Sequence, residues 1–195
     1  MSLNPKIRRW RGQRVWVIGA STGIGAAIAR DLINAGAHVA LSARSRGRLD
    51  AIAEGTDAIV APLDITDRAA VLAAAGKVSD ALGALDLVIV VAGTHSPMRA
   101  DQFDRAKADQ LLAVNLVGPL NCLEAVLPTL LEQRRGGIAL VASVAGYRGL
   151  PQALIYGPTK AALIHLAEGL YLDLHRHGIG VYLVNPGFVD TPLTQ

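Results

Sequence analysis

Short apolar runs rich in β-branched residues alternate along this chain with longer Ala- and Leu-rich segments whose apolar positions recur at helical spacing. The pattern predicts six strands, at 14–18, 38–42, 57–61, 85–91, 137–142 and 180–184. It also predicts five helices, at 23–35, 45–53, 68–82, 103–134 and 153–177. Gly36 and Gly178 are plausible helix stops, and the 115–119 stretch is expected to kink the fourth helix.

This order of elements is typical of repeated βαβ units. Right-handed crossovers then place helices on both faces of a parallel sheet, with ligands at the carboxyl ends of the strands. We therefore expect an α/β fold of the Rossmann type, a doubly wound parallel sheet in three layers. The 195 residues, 51% of them hydrophobic and 4% aromatic, suit one domain over 1–195.

Charge adds little to this picture. The formal net charge is +3, and much of the excess lies in the first residues, where a solvated basic leader over 1–12 is favoured over a phosphate-binding arm. We expect no nucleic-acid partner. The most apolar stretches, such as 85–93, fall short of the roughly 20 residues that a membrane span requires. With no signal-peptide pattern, a cytoplasmic protein without a membrane partner is expected.

The residue types that commonly bind metals are sparse. Cys122 is the only cysteine, which excludes an internal disulfide, and its apolar helical surroundings predict a core position. The five histidines lack metal-ligand spacing, so surface or helix-capping roles are expected and no metal site is predicted.

A glycine-rich turn, Gly-x-x-x-Gly-x-Gly, follows the first predicted strand and opens the first helix. Glycines permit a tight turn and let backbone amides at a helix N-terminus approach a pyrophosphate. A purely structural turn is the alternative. The predicted cofactor contacts here are Gly19, Ser21, Thr22, Gly23, Ile24 and Gly25.

Arg44 stands just after the second strand, where a carboxylate would bind the adenosine ribose hydroxyls of NAD. A guanidinium at this place favours the 2'-phosphate of NADP. Arg46 and Arg48 follow, so a solvated basic turn is the alternative. We expect NADP(H) to be preferred, with NAD(H) possible.

Three polar positions gather in the second half of the chain. Ser143 follows an apolar strand, and Tyr156 and Lys160, four residues apart, share one face of a helix. Pro158 between them suits only a first helical turn, so the helix should begin near Tyr156. Asn185-Pro186-Gly187 follows the last strand.

In this order the motifs resemble those of the short-chain dehydrogenase/reductase family, in its single-domain branch, from Gly19 to Thr191. The resemblance implies that Tyr156 is the general acid/base and that Lys160 lowers its pKa and binds the nicotinamide ribose. It implies that Ser143 hydrogen-bonds the substrate oxygen and that Asn115 holds a water in the proton relay. An Asn at a kink bonding its own backbone is the alternative for Asn115.

The resemblance implies further cofactor contacts along the same edge. Asp64 resembles the family's adenine-contacting Asp, although an ordinary turn or N-cap explains it equally well. The contacts implied at the later strand ends are Ala92, Gly93, Pro186, Gly187, Val189 and Thr191. One position departs from the family: Val91 stands where an Asn usually precedes the Ala-Gly pair, which removes a side-chain hydrogen bond.

Relatives normally continue past the Pro-Gly segment through a substrate-covering region and a seventh strand. We therefore expect the substrate lid and that strand to be truncated or absent from this chain. A homo-oligomer, a dimer or tetramer, is expected through the helices at 103–134 and 153–177.

These features favour an NADP(H)-dependent oxidoreductase acting on a small-molecule ketone or secondary alcohol. A nucleotide-binding regulator with the same fold and no turnover is the alternative. An epimerase or dehydratase of the sugar-nucleotide branch is disfavoured by the glycine spacing.

Overall fold

A computed structural model of the protein describes residues 4–192. Its centre is a six-stranded parallel sheet with the order β3-β2-β1-β4-β5-β6. The strands are β1 (Arg14–Ile18), β2 (His38–Ser42), β3 (Ile59–Val60), β4 (Leu87–Val90), β5 (Gly137–Val141) and β6 (Gly180–Val184). The helices are α1 (Gly23–Asn34), α2 (Arg46–Ala53), α3 (Arg68–Leu82), α4 (Arg105–Leu112), α5 (Gly118–Gln133) and α6 (Tyr156–Leu174). The predicted doubly wound α/β fold is confirmed.

Helices cover both faces of the sheet because successive side chains of each strand point to opposite sides. In β1, Trp16 and Ile18 pack with α3, α5 and α6, whereas Val15 and Val17 pack with α1 and α2. The buried indole nitrogen of Trp16 donates to the Ser42 hydroxyl at 2.8 Å, so this polar atom is satisfied within the core.

Several elements are shorter than the sequence predicts; β4, for example, covers Leu87–Val90 instead of 85–91. Strand β3 has two residues instead of five and pairs only with β2, although the amides of Ala61 and Leu63 continue to bond that side of the sheet. Helix α6 begins at Tyr156 instead of residue 153, because Ala153 forms a bridge with Met98. Pro158 accordingly lies in the first turn of α6, as predicted.

The predicted fourth helix is divided by a π-helical turn, Ala113–Val117, between α4 and α5. Pro119 explains the irregularity, since it has no N–H to offer the Asn115 carbonyl four residues earlier. The turn carries Asn115 into the interior, where it is fully buried. Just beyond it, a Cβ on Gly118 would lie 2.8 Å from Ile65, so α5 starts in close contact with the loop after β3.

The run Arg105–Gln133 is the one helical stretch among residues 4–192 with the length and apolar character to cross a membrane. Its inward side packs on the sheet through Cys122, Val126 and Leu130, which are nearly inaccessible. Core packing therefore accounts for the apolar residues on this inward side of the run.

The N-terminal segment lies along the sheet. Its cations at 6, 8, 9 and 11 are exposed, while Ile7 and Trp10 pack against the core. The side-chain amide of Asn4 bonds both backbone groups of Val181 on β6, at 2.6 and 3.1 Å. Arg14 belongs to β1 and forms an ion pair of 2.8 Å with Asp86.

Candidate active site

A cleft of about 390 Å³ opens at the carboxyl ends of the strands. Of the residues predicted from the sequence, Asn115 alone does not line it. The predicted site residues that line the cleft are Gly19, Ser21, Thr22, Gly23, Ile24, Gly25, Arg44, Asp64, Ala92, Gly93, Ser143, Tyr156, Lys160, Pro186, Gly187, Val189 and Thr191. One cleft thus joins the glycine turn to the Ser-Tyr-Lys group.

The glycine turn admits no side chain at its two closest approaches. Gly19 has φ +101°, and a Cβ there would overlap the amide nitrogen of Ala92. A Cβ on Gly25 would overlap the carbonyl oxygen of Gly19. Thr22 is the N-cap of α1, but its side chain makes no hydrogen bond to the backbone amides of the first turn. The turn fits a phosphate group, because bare backbone and a helix N-terminus face the cleft.

The segment after β6 returns to this turn. The Pro186 carbonyl accepts a hydrogen bond from the Val144 amide at 3.1 Å. Further along, a Cβ on Gly23 would lie 3.1 Å from the methyl carbon of Thr191. The 186–192 segment therefore connects the Ser143 loop with the glycine turn.

The basic residues after β2 divide into two groups. Arg46 forms an exposed ion pair of 3.5 Å with Asp50, one helical turn ahead in α2. Arg44 and Arg48 line the cleft. The solvated basic turn, which is the alternative for this segment, therefore describes Arg46 and not Arg48. The i,i+4 spacing of Arg46 and Asp50 is the sequence signal that separates the two.

Asp64 forms a turn with Thr66, accepting hydrogen bonds from its amide at 2.9 Å and its hydroxyl at 2.7 Å. The backbone bond does most to hold the pKa of Asp64 below its ordinary value; the positive charge of Arg44 adds a smaller contribution. Asp64 thus forms a turn, which was one of the two roles that the sequence allowed, and it also borders the cleft. The N-cap of α3 is Asp67.

Val91 packs where the family usually has an Asn. Its Cγ1 would lie 2.9 Å from a Cβ on Gly25, and the side chain joins the apolar layer between the sheet and α1. The amides of Val91 and Ala92 both donate to the Ile18 carbonyl at 2.9 Å. Apolar packing thus replaces a side-chain hydrogen bond, and the backbone of the turn is held by β1.

Tyr156 is the first residue of α6 and is partly buried. Burial raises the pKa of its phenol, and a hydrogen bond with the Ser143 side chain opposes that rise. The Ser143 hydroxyl also accepts from the Ala145 amide at 3.1 Å.

Lys160 lies one turn further along α6 and is 4% exposed. Its Nζ donates to the Val141 carbonyl at 3.1 Å and lies 5.7 Å from the centre of the Tyr156 ring. Burial lowers the pKa of Lys160 to about 8. The expectation that the pKa of Tyr156 lies below its ordinary value is wrong for the protein alone, because burial of the phenol outweighs its hydrogen bond with Ser143.

Asn115 lies directly behind the cleft and bonds the backbone of Thr94, not its own. Its Oδ1 accepts from the Thr94 amide and its Nδ2 donates to the Thr94 carbonyl, both at 2.8 Å. Nδ2 also lies 3.3 Å from the hydroxyl of Thr159, which donates to the Tyr156 carbonyl at 2.7 Å. Asn115 therefore connects the loop after β4 with the first turn of α6.

Two histidines have different surroundings. His175 lies near the end of α6, with Nδ1 3.1 Å from the Tyr171 carbonyl, in the capping role expected from the sequence. His95 instead stands edge-to-face with Tyr156, the ring centres 4.7 Å apart. No motif in the sequence predicts this contact between His95 and Tyr156. Within residues 4–192 no group of three or more His, Cys, Asp or Glu is arranged to hold a metal.

The family model for short chain dehydrogenases matches residues 13–195. An uncharacterized oxidoreductase of Staphylococcus epidermidis is 37% identical over 181 residues, which are 92% of this chain and 79% of the relative. An uncharacterized oxidoreductase of Staphylococcus aureus is 35% identical, over 91% of this chain and 78% of the relative.

Two solved structures superpose with a TM-score of 0.90. A putative short-chain alcohol dehydrogenase from Sinorhizobium meliloti is 31% identical and covers 97% of this chain and 77% of its own. A protein named ribose-5-phosphate isomerase, from Brucella melitensis, is 33% identical and covers 95% and 72% respectively. Since the two names differ at equal structural likeness, the fold alone does not select a substrate.

The chain belongs to the short-chain dehydrogenase family, since the family model spans nearly all of it and relatives above 30% identity cover most of its length. The resemblance carried by the glycine turn and the Tyr-Lys pair is confirmed. The protein is accordingly an oxidoreductase of a family that uses NAD(P)(H).

Proposed function

We propose that the protein transfers a hydride between NADP(H) and a ketone or secondary alcohol, with Tyr156 as the general acid/base. The observation that carries this proposal is the shared cleft, in which Ser143, Tyr156 and Lys160 face the same space as the glycine turn. A group held by its phosphates at Gly19–Gly25 therefore extends toward the phenol.

A bound nicotinamide would supply the hydride during reduction and accept it during oxidation. In the direction of reduction, Tyr156 donates its phenolic proton to the carbonyl oxygen. A phenol of ordinary pKa, about 10, already carries this proton at neutral pH, and burial shifts the pKa of Tyr156 further in the same direction. Ser143, already hydrogen-bonded to Tyr156, orients the same oxygen, and the Lys160 ammonium stabilises the phenolate left behind.

Asn115 would complete the group by holding a water that returns a proton toward Lys160. The supporting observations are the positions of its Oδ1 and of Lys160 Nζ, which would lie 3.5 and 3.4 Å from a Cβ on Gly93. The π-helical turn supports the same role, because it carries Asn115 inward to this point.

Preference for NADP(H) rests on Arg44 and Arg48, two guanidiniums at the cleft with no acidic residue at the end of β2. They provide bidentate donors for a 2'-phosphate. Asp64 would border the adenine, and Ala92 and Gly93 would leave room for the adenosine. Backbone at Pro186–Gly187, Val189 and Thr191 would face the nicotinamide.

A homo-oligomer, a single NAD(P)-binding domain over 1–195 and a cytoplasmic location complete the proposal. Support for the oligomer comes from large apolar side chains that α4, α5 and α6 leave exposed. These include Leu112, Leu120, Leu131 and Leu172. Light scattering of the purified protein would give its mass in solution.

The test is titration with NADPH and NADH, followed by turnover with a panel of ketones, aldehydes and quinones. Tyr156→Phe should reduce turnover by roughly 10²–10⁴-fold while NADPH still binds. Tyr171→Phe is the matched control, because its buried hydroxyl has no partner among the described residues. Binding without turnover across the panel would favour the nucleotide-binding regulator instead.

A further inference from the structure

His95 lies in the loop between β4 and α4, and its ring meets the ring of Tyr156 edge-to-face, at 70° and with the centres 4.7 Å apart. Tyr156 also packs on a small apolar cluster containing Met98 and Leu111. The Tyr156 ring therefore has packing contacts both with that cluster and with His95.

The loop that carries His95 is bonded on both sides of it. Before it, both backbone groups of Thr94 pair with the Asn115 amide at 2.8 Å. After it, the Met98 amide donates to the Gln152 carbonyl at 2.9 Å, and the Met98 carbonyl accepts from Leu154. His95 is thus fixed relative to α6 by bonds that do not involve its own side chain.

Tyr156 has little support from its own helix. It is the first residue of α6, so no preceding helical turn flanks its ring, and the next residue is Gly157. A rotation of this ring would move the phenolic oxygen relative to Ser143 and any bound substrate. A displacement of about 1 Å at a reacting group is enough to cost roughly 10²-fold in rate.

The imidazole also has a restricted protonation state. Its Nδ1 is buried without a hydrogen-bond partner among the described residues. A protonated ring would bury an unpaired Nδ1–H, which is costly, so the neutral ring with its proton on Nε2 is favoured. Burial lowers the pKa of His95 in the same sense. The ring therefore presents no positive charge to the phenol.

We infer that His95 is a positioning residue, whose fixed, neutral ring packs against the phenol of Tyr156 and holds it in its catalytic orientation. This inference rests on the proposed function of Tyr156. Within residues 4–192, the titratable groups that face the ring of Tyr156 are Lys160 from its own helix and His95 from the loop after β4. Ser143, from the end of β5, contributes a neutral hydroxyl.

If His95 acts through the shape of its ring, a variant that keeps an aromatic ring should behave differently from one that removes it. His95→Phe keeps an aromatic ring and loses both nitrogens, whereas His95→Ala removes the ring. We expect kcat to fall roughly tenfold in His95→Ala, with little change in the KM for NADPH, and to stay within about twofold in His95→Phe. His38→Ala, an exposed histidine at the start of β2, is the matched control.

A second measurement does not require turnover. Tyrosinate absorbance against pH, taken as the difference between each protein and its Tyr156→Phe counterpart, reports the phenol directly. His95→Ala should titrate at lower pH than wild type, because water admitted to the phenol favours its ionised form. His95→Phe should follow wild type. Lys160 titrates in every variant and so does not create a difference among them.

Equal losses of kcat in His95→Phe and His95→Ala would overturn the inference, since they would assign the effect to a nitrogen. Unchanged kcat and an unchanged tyrosinate titration in His95→Ala would overturn it as well. If wild type reduces no carbonyl in the panel, the proposed function fails by itself, while the tyrosinate titration still decides whether His95 packs against the phenol.

Discussion

The Nζ atom of Lys160 donates a 3.1 Å hydrogen bond to the carbonyl oxygen of Val141. This neutral partner compensates only part of the loss of water, and burial brings the pKa of Lys160 from 10.5 to about 8. The end of β5 thus holds a cation that titrates only slightly above neutral pH.

The stability of the protein should depend on pH through Lys160. Unfolding returns the pKa of its amine to 10.5. Between about pH 8 and 10.5 the unfolded chain therefore keeps this proton, whereas the folded chain releases it. We expect the free energy of unfolding to rise between these pH values, by about 3 kcal/mol in total. Denaturant titrations at successive pH values would measure it. Lys160→Met should remove this rise, and parallel curves for the two proteins would contradict the argument.

Cofactor selectivity should depend on Arg44 but not on Arg46. Loss of charge-assisted hydrogen bonds worth about 1.5–3 kcal/mol should weaken NADPH binding by roughly 10–100-fold in Arg44→Ala. NADH binding should change little, because NADH lacks the 2'-phosphate. Arg46→Ala is the control, since Arg46 is paired with Asp50. Calorimetric titration with both nucleotides measures the effect, and an equal loss for NADH would refute the assignment.

Two Gly→Ala substitutions should have opposite effects. Gly25→Ala places a methyl against the Gly19 carbonyl and should lower the free energy of unfolding by about 2 kcal/mol or more, with loss of nucleotide binding. Gly76→Ala, in the exposed middle of α3 with open space around it, should raise it by about 0.5–1 kcal/mol. Thermal and denaturant unfolding of both variants provide the comparison. A tolerated Gly25→Ala would show that the turn can open.

Asn115 should stabilise the loop after β4. Asn115→Ala leaves the amide and carbonyl of Thr94 without their partner and should cost about 2–4 kcal/mol. Hydrogen exchange at the Thr94 amide should accelerate selectively. Asn121→Ala is a milder control, since Asn121 donates a single bond to the Ile65 carbonyl. Unchanged exchange at Thr94 would mean that other contacts hold the loop.

Features encoded in contiguous sequence were predictable. The strands appear as apolar runs, the Gly19–Gly25 turn follows from glycine spacing, and the start of α6 follows from Pro158. Helical periodicity predicted one helix over 103–134 with a kink at 115–119, and the π-helical turn Ala113–Val117 overlaps that stretch.

Properties that arise between distant segments were not predictable. His95 and Tyr156 are distant in sequence, and the loop after β4 that carries His95 is bonded to Asn115 and Gln152. The direction of the Tyr156 pKa shift depends on how deeply the phenol is buried, which no local motif specifies. Val91, a departure by sequence, is accommodated by packing against α1 that becomes visible only in three dimensions.

The bond between Asn4 and Val181 spans 177 positions of the sequence. Closing a loop of that size has a large entropic cost. The contact can stabilise the fold only after the other strands of the sheet have paired and offset that cost. During synthesis Asn4 emerges well before Val181, so this contact cannot form until β6 has been made. The bond between Asn4 and Val181 is therefore among the last contacts of the sheet to form.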